Sequence, residues 1–421
     1  MKTRVVVIGG GFAGLNFIRS IDDSRDFDVT LVDRNNYNFF PPLIYQVATG
    51  FLEPSSISHP FRKLFGNKRN VHFWLGEFQE VKPDENKVII SDKELDYDIL
   101  VLATGTKTNY FGLDNVRKNA IPMKTLDDAL NMRNLLLQRI EMATKTKDIK
   151  EKEDWVTMVI AGGGPTGVEV SGMFAEMRRS IIAKEYPELN DVHGKIYLVN
   201  GGDSLLAPMS EESQSYTYEA LKNLGVKIKL NTRVTDFDGE NVSLKDGSYI
   251  RSKNLIWATG VTAMKFPGIP EETYGPGNRL KVDACNKIEN SSNIYALGDT
   301  CIMTSDKAFP EGHPQLAQVA KQQGEHLAKN LKKINKGKEP EDFVYNDKGI
   351  MAIIGRSKAV AEIPKPKMNL KGLPAWLIWS LIHLFALVNR HDRLRTFYNW
   401  TIAYFTRNQD LRMIIRPKDR I

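Results

Sequence analysis

VVVIGGGFAG, residues 5–14, is an apolar β-branched run that ends in glycines and continues into a helix-favouring stretch. An apolar run of this length before glycines predicts a buried strand, and Gly9 permits the tight turn that follows it. Gly14 lets the next helix pack closely on that strand because it has no side chain. A further strand is predicted at residues 28–33, DVTLVD. The segment therefore predicts a strand–turn–helix–strand unit, the building block of an α/β fold with a parallel sheet.

The same pattern occurs again at residues 158–167, MVIAGGGPTG, and the strand after its helix is predicted at residues 195–200, KIYLVN. In such a unit the central glycine, here Gly11 or Gly164, lets the backbone approach a pyrophosphate. The N-terminus of the helix then faces the phosphates. Two copies in one chain predict two dinucleotide sites.

The residue that ends the second strand of each copy is expected to contact the ribose of the nucleotide, so it indicates which nucleotide the site prefers. Asp33 ends the strand of the first copy, where a carboxylate accepts hydrogen bonds from a ribose diol. Asn200 ends that of the second copy, and an amide can accept such a bond but does not repel a 2′-phosphate. Asp203 nearby disfavours that phosphate, and no Arg follows to receive it. The sequence therefore favours NADH, with NADPH as the alternative.

Further apolar strands indicate how the two copies are arranged along the chain. Each copy is followed by a strand that ends in Ala-Thr-Gly, at residues 99–105 and 255–260, and a third strand at residues 293–297 leads into Gly298-Asp299. This order predicts that the second dinucleotide domain is inserted into the first. The expected boundaries are 1–115 with 280–345 for the first domain, 116–279 for the second, and 346–421 for a C-terminal region.

The C-terminal region differs in composition from the rest of the chain. From Arg356 on, 13 Lys or Arg stand against 4 Asp or Glu, so this part carries +9 and the preceding part −2 of the total net charge of +7. Residues 372–389 contain no charged residue, include Trp376 and Trp379, and have basic residues on both sides. This pattern favours a helix in the membrane interface. A packing or dimer helix and a short transmembrane helix are the alternatives.

Composition excludes several other classes of protein. With 42% hydrophobic and 26% charged residues, the 421-residue chain is an ordered globular protein of two or three domains. Cys285 and Cys301 are too few for a disulfide scaffold, so a reducing compartment is expected. No motif has metal-ligand spacing, so no metal site is expected. Because the positive charge is confined to the tail, no nucleic-acid partner is expected either.

Five stretches carry a resemblance to a known family. They are residues 9–14, residues 38–50 (NFFPPLIYQVATG), residues 162–169 (GGGPTGVE), Gly298-Asp299, and residues 314–324 (PQLAQVAKQQG). The last stretch is similar to that family's A-Q-x-A-x-Q quinone motif. Over essentially its whole length the chain resembles the two-dinucleotide-binding flavoprotein reductases, and more closely the type II NADH dehydrogenases, the single-chain NADH:quinone oxidoreductases. Asn200 is the clearest departure from their pattern.

The resemblance implies tightly bound FAD in the first site and a nicotinamide nucleotide in the second. The implied FAD-binding residues are Gly9, Gly10, Gly11, Phe12, Ala13, Gly14, Asp33, Arg34, Phe78, Thr104, Gly105, Asp299 and Ala317. The implied nucleotide-binding residues are Gly162, Gly163, Gly164, Pro165, Thr166, Gly167, Asn200 and Gly260.

The resemblance also implies a catalytic carboxylate and a quinone site. Glu169 lies just past the second glycine motif, where its side chain is expected to reach the nicotinamide–flavin contact. The alternative is a carboxylate favoured only by the helix dipole. Gln318 and Gln322 are implied to bind quinone, and as glutamines they can orient or polarise it but not act as acids.

The implied activity is hydride transfer from NADH to FAD and transfer of two electrons to a membrane quinone, without proton pumping. A peripheral, monotopic location on the cytoplasmic face of the cell membrane is expected, with a homodimer as a further option. One rival is a sulfide:quinone oxidoreductase, for which Cys285 and Cys301 are too few. The other is a non-enzymatic flavoprotein that binds NADH as a signal.

Overall fold

The computed structural model describes residues 2–387, 389–406 and 412–415. Within these residues, strands and helices alternate in the order that the two predicted units require. The strands are β1 (Thr3–Ile8), β2 (Phe27–Asp33), β3 (Tyr37–Phe39), β4 (Ser58–Pro60), β5 (Val71–Leu75), β6 (Phe78–Lys82), β7 (Lys87–Ile90), β8 (Lys93–Asp96), β9 (Ile99–Leu102), β10 (Thr106–Thr108), β11 (Ile121–Pro122), β12 (Met158–Ala161), β13 (Ile196–Val199), β14 (Val226–Lys229), β15 (Val234–Phe237), β16 (Asn241–Leu244), β17 (Tyr249–Arg251), β18 (Asn254–Trp257), β19 (Val261–Ala263), β20 (Leu280–Val282), β21 (Ile294–Ala296), β22 (Cys301–Met303), β23 (Ile350–Gly355), β24 (Lys358–Pro364) and β25 (Lys367–Lys371). The α-helices are α1 (Phe12–Ile21), α2 (Ile44–Ala48), α3 (Pro54–Ile57), α4 (Phe61–Phe65), α5 (Asp114–Asn119), α6 (Leu126–Lys145), α7 (Ile149–Val156), α8 (Pro165–Met177), α9 (Ala183–Glu185), α10 (Glu211–Asn223), α11 (Ala317–Ile334), α12 (Leu373–Ala386) and α13 (Arg390–Thr406).

The chain folds into two compact units, each built from separate stretches of sequence. The first comprises the residues up to Phe39, Ser58–Lys107 and Val261–Asp347. The second comprises Phe40–Ile57, Thr108–Gly260 and the residues from Lys348. The predicted insertion of one dinucleotide unit into the other is confirmed. The domain boundaries proposed at residues 115, 279 and 345 stay a prediction.

The first unit contains a parallel sheet in the strand order β21-β9-β1-β2-β5. The last four residues of β1 are all buried, the pattern of a parallel strand whose two faces are both covered. Ile8 pairs with Val32, and Ala296 pairs with Leu102. The turns after β1, β2, β9 and β21 therefore lie at one carboxyl edge, where open α/β sheets bind their ligands.

Helices α1 and α11 of this unit approach more closely than side chains normally allow. A Cβ atom on Gly324 of α11 would lie 2.4 Å from the carbonyl oxygen of Ala13 in α1. A Cβ atom on Gly14 would lie 2.0 Å from the carbonyl oxygen of Gly9. Glycine at both positions therefore joins α11 to α1, and α1 to the turn that precedes it.

The second unit contains another parallel sheet, in the strand order β11-β18-β12-β13-β14. All four residues of β12 are buried, and Ala161 pairs with Val199. The second glycine turn and Asn200 consequently lie at the same edge of this sheet. The predicted α/β fold with two Rossmann-like units is confirmed.

The C-terminal part of the second unit adds an antiparallel sheet, β23-β24-β25, and the helices α12 and α13. The uncharged stretch of the sequence forms the 14-residue helix α12, which packs against β24 and buries Trp379 completely. Gly372, at a φ of 73°, precedes the helix, and Leu387 has an extended backbone that ends it. Within the ranges described above, no helix has both the length and the apolar character needed to cross a bilayer.

Helix α8 packs directly on strand β23 through Gly172. A Cβ atom at this position would lie 1.7 Å from the carbonyl oxygen of Ile354. Because both partners are backbone, neither can move aside without displacing the helix or the strand.

We expect Gly172→Ala to lower the free energy of unfolding by about 1–3 kcal/mol, the usual cost of overfilling a packed contact. Chemical denaturation of the purified protein measures this difference. Gly202→Ala is the matched control, because Gly202 is exposed, has no positive φ, and its nearest atom belongs to a side chain 3.3 Å away. Equal stability of Gly172→Ala and the parent protein would show that α8 and β23 do not depend on this contact.

Candidate active site

The first glycine loop is a tight turn between β1 and α1 with open space at its centre. Gly9 has a φ of 101°, and a Cβ atom on it would lie 2.5 Å from the carbonyl oxygen of Ala103. A Cβ atom on Gly11, the residue before α1, would meet no atom within 4 Å. The backbone at the start of α1, at Phe12 and Ala13, therefore borders a space in which N–H groups can bind phosphate oxygens.

Two neighbours hold this loop in place from the other side. The side-chain amide of buried Asn38 donates to the Gly10 carbonyl oxygen at 2.7 Å. A Cβ atom on Gly10 would lie 2.2 Å from the ring of Phe61, so this position also excludes a side chain. The loop is thus fixed before any ligand binds.

The second glycine loop repeats this geometry between β12 and α8. Gly162 has a φ of 115°, and a Cβ atom on it would lie 2.6 Å from the carbonyl oxygen of Ala258. A Cβ atom on Gly167 would lie 1.8 Å from the Gly162 carbonyl oxygen, whereas one on Gly164 would meet nothing within 4 Å. Pro165 and Thr166 form the first turn of α8, which borders the open space.

Asp33 and Asn200 make the same contact in their respective units. An Asp33 carboxylate oxygen accepts from the Gly10 N–H at 2.7 Å, and the Asn200 side-chain oxygen accepts from the Gly163 N–H at 3.0 Å. The Asn200 side-chain NH₂ group donates to the Ser204 carbonyl oxygen at 2.8 Å, which fixes the orientation of the amide. Burial raises the pKa of Asp33, opposed by its backbone hydrogen bonds.

One residue near the second site was missed by the sequence analysis, which expected no Arg there. Arg233 lies beside the end of β13, because a Cβ atom on Gly201 would lie 3.0 Å from its Cγ and 3.1 Å from its Nε. It follows β14, the parallel neighbour of β13, so both strands end at one edge. A cation shortly after the neighbouring strand is the sequence signal that would have revealed it.

The hydrogen bonding of Thr104 and Gly105, which follow β9, indicates whether the first site suits a large cofactor. The Gly105 N–H donates to the Thr300 hydroxyl at 2.9 Å. The Thr104 hydroxyl oxygen is buried and has no hydrogen-bond partner in the part of the chain that the structure describes. An unsatisfied buried hydroxyl costs about 1–3 kcal/mol. A ligand that accepts or donates a hydrogen bond here would remove that cost, and the open loop beside it fits the pyrophosphate of FAD.

The Gly298-Asp299 turn is held by a residue that was not predicted. The Gly298 N–H donates to the side-chain oxygen of Gln323 at 2.7 Å, and Gln323 is buried on α11. The Asp299 carboxylate accepts from the Thr106 hydroxyl at 3.4 Å. The sequence analysis named the neighbouring Gln322 as a quinone ligand and gave Gln323 no role, although an amide on the buried face of a helix is itself a sign of a specific backbone partner.

Gln322 and Gln318, the predicted quinone ligands, differ in their surroundings. The Gln322 side-chain NH₂ group donates to the Asn346 carbonyl oxygen at 2.9 Å, and its oxygen accepts from the Asn346 N–H at 3.0 Å. Both ends of this amide are thus used to hold one backbone residue. Gln318 lies in the first turn of α11, directly after Ala317, and is partly buried.

The remaining predicted ligands lie at sheet edges or next to them. Arg34 is exposed directly after β2. Phe78 begins β6, with its ring 5.3 Å from that of Phe266. Gly260 follows β18 by three residues at a φ of 73°. A Cβ atom on Gly260 would lie 2.3 Å from the Phe111 ring.

Glu169 lies on α8 and faces β23. The Ile353 N–H donates to its carboxylate, while burial raises the pKa of Glu169 to about 8. The carboxyl group is therefore mostly protonated at neutral pH. A partly buried acid with a pKa near the working pH is suited to deliver a proton.

A cleft of about 340 Å³ lies within the second unit, between α8, β23, α12 and α13. Its walls are mainly aromatic and aliphatic, with a few polar groups among them. The lining residues are Tyr45, Gln46, Phe51, Met173, Glu176, Arg179, Ser180, Leu224, Ile353, Gly355, Arg356, Trp376, Trp379, Ser380 and Trp400. An apolar cleft of this size with a few placed polar groups is typical of a small-molecule site.

The two cysteines do not form a redox pair. Both Cys285 and Cys301 are free thiols, and the Cys285 sulfur contacts the Glu341 carbonyl oxygen. Burial raises the pKa of Cys301 to about 12, so its thiol is unreactive at neutral pH.

Comparisons with known proteins agree with this geometry. The sequence profile of the pyridine nucleotide-disulphide oxidoreductase family matches residues 3–324. The type II NADH:quinone oxidoreductase Ndh of Mycobacterium tuberculosis is 31% identical over 418 residues, which cover 96% of this chain and 89% of that protein.

Solved structures share the fold. NDH2 of Plasmodium falciparum, solved in complex with NADH, has a TM-score of 0.89 at 23% identity and covers 99% of this chain and all of that one. The sulfide:quinone oxidoreductase of Aquifex aeolicus has a TM-score of 0.72 at 18% identity, over 96% of each chain. From the matched profile, the relative of M. tuberculosis and the two glycine loops, the chain belongs to the pyridine nucleotide-disulphide oxidoreductase family and, within it, to the type II NADH:quinone oxidoreductases.

Proposed function

We propose that this protein oxidises NADH, passes the electrons through bound FAD, and reduces a quinone without pumping protons. The observation that carries this proposal is the presence of two complete glycine loops, at Gly9–Gly14 and Gly162–Gly167, in a chain of this family. When bound, FAD would supply the acceptor for the hydride and the two-electron donor for the quinone. The side chains of the protein bind, orient and supply a proton.

The first unit is proposed to hold FAD through groups at one sheet edge. The start of α1 binds the pyrophosphate, Asp33 accepts from the ribose, and Arg34 and Phe78 flank the adenine side. The Thr104 hydroxyl, which has no hydrogen-bond partner among the described residues, forms a hydrogen bond with the cofactor. Asp299 holds the ribityl or phosphate end. Gly105 and Ala317 complete the flavin side of the site.

The second unit is proposed to bind NADH with its pyrophosphate at the start of α8. Asn200 keeps a lone pair on its side-chain oxygen for a ribose hydroxyl, because the Gly163 N–H uses only one of the two. Arg233 beside it can pair with the phosphate of NADPH or lie along the adenine. Gly260 lies at the far end of the same edge. NADH is the proposed substrate, and Arg233 makes NADPH the alternative.

Glu169 is proposed as the acid that protonates the reduced quinone. Its pKa of about 8 keeps the proton available at neutral pH, and the Ile353 N–H stabilises the carboxylate that remains after transfer. Gln318 is proposed to orient the quinone ring. Gln322 is proposed to bind the ring as well, because its contacts with Asn346 use only one of its two N–H donors and one of the two lone pairs on its oxygen.

The aromatic cleft of the second unit is proposed to receive the apolar part of the quinone. Trp376, Trp379 and Trp400 line it, and the Trp400 ring N–H donates to the side-chain oxygen of Gln46 at 2.7 Å. The mainly apolar walls suit an isoprenoid chain, whose burial is favourable by about 25 cal/mol per Å².

A peripheral position on the cytoplasmic face of the membrane is proposed from the outer faces of α12 and α13. Large apolar side chains there are exposed to solvent: Leu377, Leu381, Phe385, Leu394, Phe397 and Tyr398. Lys365 and Lys367, at the turn between β24 and β25, are exposed as well. Apolar insertion together with cations near an anionic surface gives stable interfacial binding, at about 1 kcal/mol per cation. The same face can alternatively serve as a homodimer contact.

One experiment tests the whole proposal. The purified yellow protein is mixed anaerobically with NADH and then with a short-chain quinone. We expect NADH to bleach the flavin absorption and the quinone to restore it rapidly. Bleaching by sulfide alone would instead identify a sulfide:quinone oxidoreductase. Absence of turnover with any of these would leave a non-enzymatic flavoprotein.

Glu169→Gln should retain FAD and slow quinone reduction by more than about tenfold, because a positioned acid is lost. In the parent protein the rate should fall as pH rises through about 8, since the acid form of Glu169 is present below that pH and lost above it. The variant should lack this fall. Steady-state rates across pH measure both effects, with exposed Glu188→Gln as control. Parent-like rates with an unchanged pH profile would remove Glu169 from the reaction.

Arg233→Gln should lower kcat/KM for NADPH by about tenfold or more and change that for NADH much less, because a charge-assisted contact to the 2′-phosphate contributes about 1.5–3 kcal/mol. Asn200→Asp should act in the same direction, since the carboxylate keeps the contact to the Gly163 N–H but repels the phosphate. The nucleotide preference is read from initial rates. Increased use of NADPH by either variant would place the ribose elsewhere.

The double variant Leu381→Glu and Phe385→Glu should bind anionic liposomes more weakly, because both side chains are more than half exposed on α12. Reduction of a water-soluble acceptor by NADH should stay at the parent rate. Liposome flotation measures the binding, and Tyr249→Glu on β17, also well exposed, is the control. Undiminished flotation of the double variant would show that another surface binds the lipid.

A further inference from the structure

Helix α13 buries polar side chains and exposes apolar ones, which is the reverse of an ordinary surface helix. Asp392, Thr396 and Trp400 follow one another at intervals of four residues and so share one face of the helix. Asp392 and Thr396 are buried, whereas Leu394 and Phe397 on the opposite side are more than half exposed. The inner face of α13 is therefore mainly polar and its outer face mainly apolar.

Polar side chains attach α13 to the α3 segment, residues 53–57. The Arg395 guanidinium pairs with the Glu53 carboxylate at 2.6 Å and donates to the Ser55 hydroxyl at 2.9 Å. The Thr396 hydroxyl donates to the Ser56 carbonyl oxygen at 3.5 Å. The side chains of Arg395 and Glu53 are 41% and 36% exposed, and an ion pair that is this open to water stabilises a contact only weakly.

The same helix forms one wall of the aromatic cleft. Among the described residues, Trp400 is the one that α13 contributes to the lining. Its ring N–H donates to the side-chain oxygen of buried Gln46 at 2.7 Å, and its ring centroid lies 5.9 Å from that of Trp379. Movement of α13 away from the α3 segment would therefore take this wall with it and open the cleft.

The chain is bound to the second unit on both sides of α13. Arg393, in the first turn of the helix, donates two hydrogen bonds to the carbonyl oxygen of buried Leu387, at 2.9 and 3.0 Å. Beyond the helix, Arg412 pairs with Glu185 of α9 through two bonds of 2.7 Å. A helix that is fixed before and after its own length can tilt away from α3 without leaving the protein.

An anionic bilayer competes for both faces of α13. The exposed apolar side chains gain by entering the interface, and lipid phosphates offer the Arg395 guanidinium a partner in place of Glu53. On separation, water and headgroups can satisfy the polar groups of the inner face, so that little hydrogen bonding is lost. An apolar inner face would instead be exposed to water at a large cost. The polarity of this face is what makes the helix separable.

From these contacts we propose that α13 is a lid over the aromatic cleft, and that an anionic membrane opens it. In water the lid is held closed by Arg395, Thr396 and Trp400. At the bilayer α13 stays with the lipid, the α3 segment and Gln46 are uncovered, and the cleft admits the isoprenoid chain of a quinone from the lipid side. The use of the cleft by quinone rests on the proposed function, whereas the movement of α13 does not.

Hydrogen exchange of the full-length, FAD-bound protein measures the movement without any quinone. Anionic liposomes should speed the exchange of amides in the α3 segment by about twofold or more, the range for release of an exposed ion pair, and leave β12 and β13 unchanged. A helix that inserts its outer face but stays on α3 would leave these amides unchanged or slow them. Vesicles of neutral phosphatidylcholine should have a smaller effect, because they attract Arg395 less.

Glu53→Gln weakens the closed state and leaves the outer face of α13 intact. In solution, exchange in the α3 segment should be about two- to fivefold faster than in the parent, and liposomes should add less. With a quinone of two isoprene units, the stimulation of turnover by liposomes should shrink by the same factor, whereas the rate with a quinone without a tail should not change. Glu211→Gln, at an exposed position on α10, is the matched control.

The outcomes separate the lid from the proposed function. Unchanged or slower exchange of the α3 segment on anionic liposomes would overturn the lid, and so would faster exchange throughout the second unit, which indicates general loosening. Exchange in Glu53→Gln at the parent rate would overturn closure by the Arg395 ion pair. Faster exchange confined to the α3 segment, in a parent protein that quinone does not reoxidise, would support the movement and overturn the proposed function.

Discussion

Close approach of backbone to backbone at glycine is the constraint on which both sites depend. At Gly14 and Gly167 a Cβ atom would lie 2.0 Å and 1.8 Å from the carbonyl oxygen of the glycine that opens each loop. Only without side chains can the helix start this close to the end of its strand. The helix N-terminus is then directed at the space beside the central glycine, and that geometry is what binds a pyrophosphate.

Glycine allows equally close backbone contacts between elements that are far apart in the sequence. Gly324 brings α11 onto α1, and the buried Gln323 beside it holds the Gly298-Asp299 turn. Gly172 brings α8 onto β23, where Glu169 and Glu176 meet the N–H groups of Ile353 and Arg356. Burial of these carboxyl groups raises the pKa of both. The close packing that Gly172 allows therefore contributes to their proton affinity.

The C-terminal helices have one aromatic face that packs in the second unit and another that is exposed to solvent. Trp379 is buried, and Trp400 donates to Gln46 within the second unit, whereas Phe385 and Phe397 are exposed. An apolar sequence without charge cannot show which of its aromatic residues belong to the core, because burial depends on the sheet against which the helix lies. Substitutions on the exposed face of these helices therefore change the surface without removing the buried aromatic contacts.

The sequence by itself determined the two strand–turn–helix units, the insertion of one in the other, and the positions of Asp33 and Asn200 at the strand ends. These features follow from local patterns: glycine spacing, apolar runs and the length of one βαβ unit. Only the tertiary structure brought Arg233 beside Gly201, gave Gln323 the Gly298 contact, and placed Tyr45 and Glu176 in one cleft. Such contacts join residues far apart in the chain. They depend on which strands are neighbours and which helix faces are buried, and a single sequence does not encode either as a local pattern.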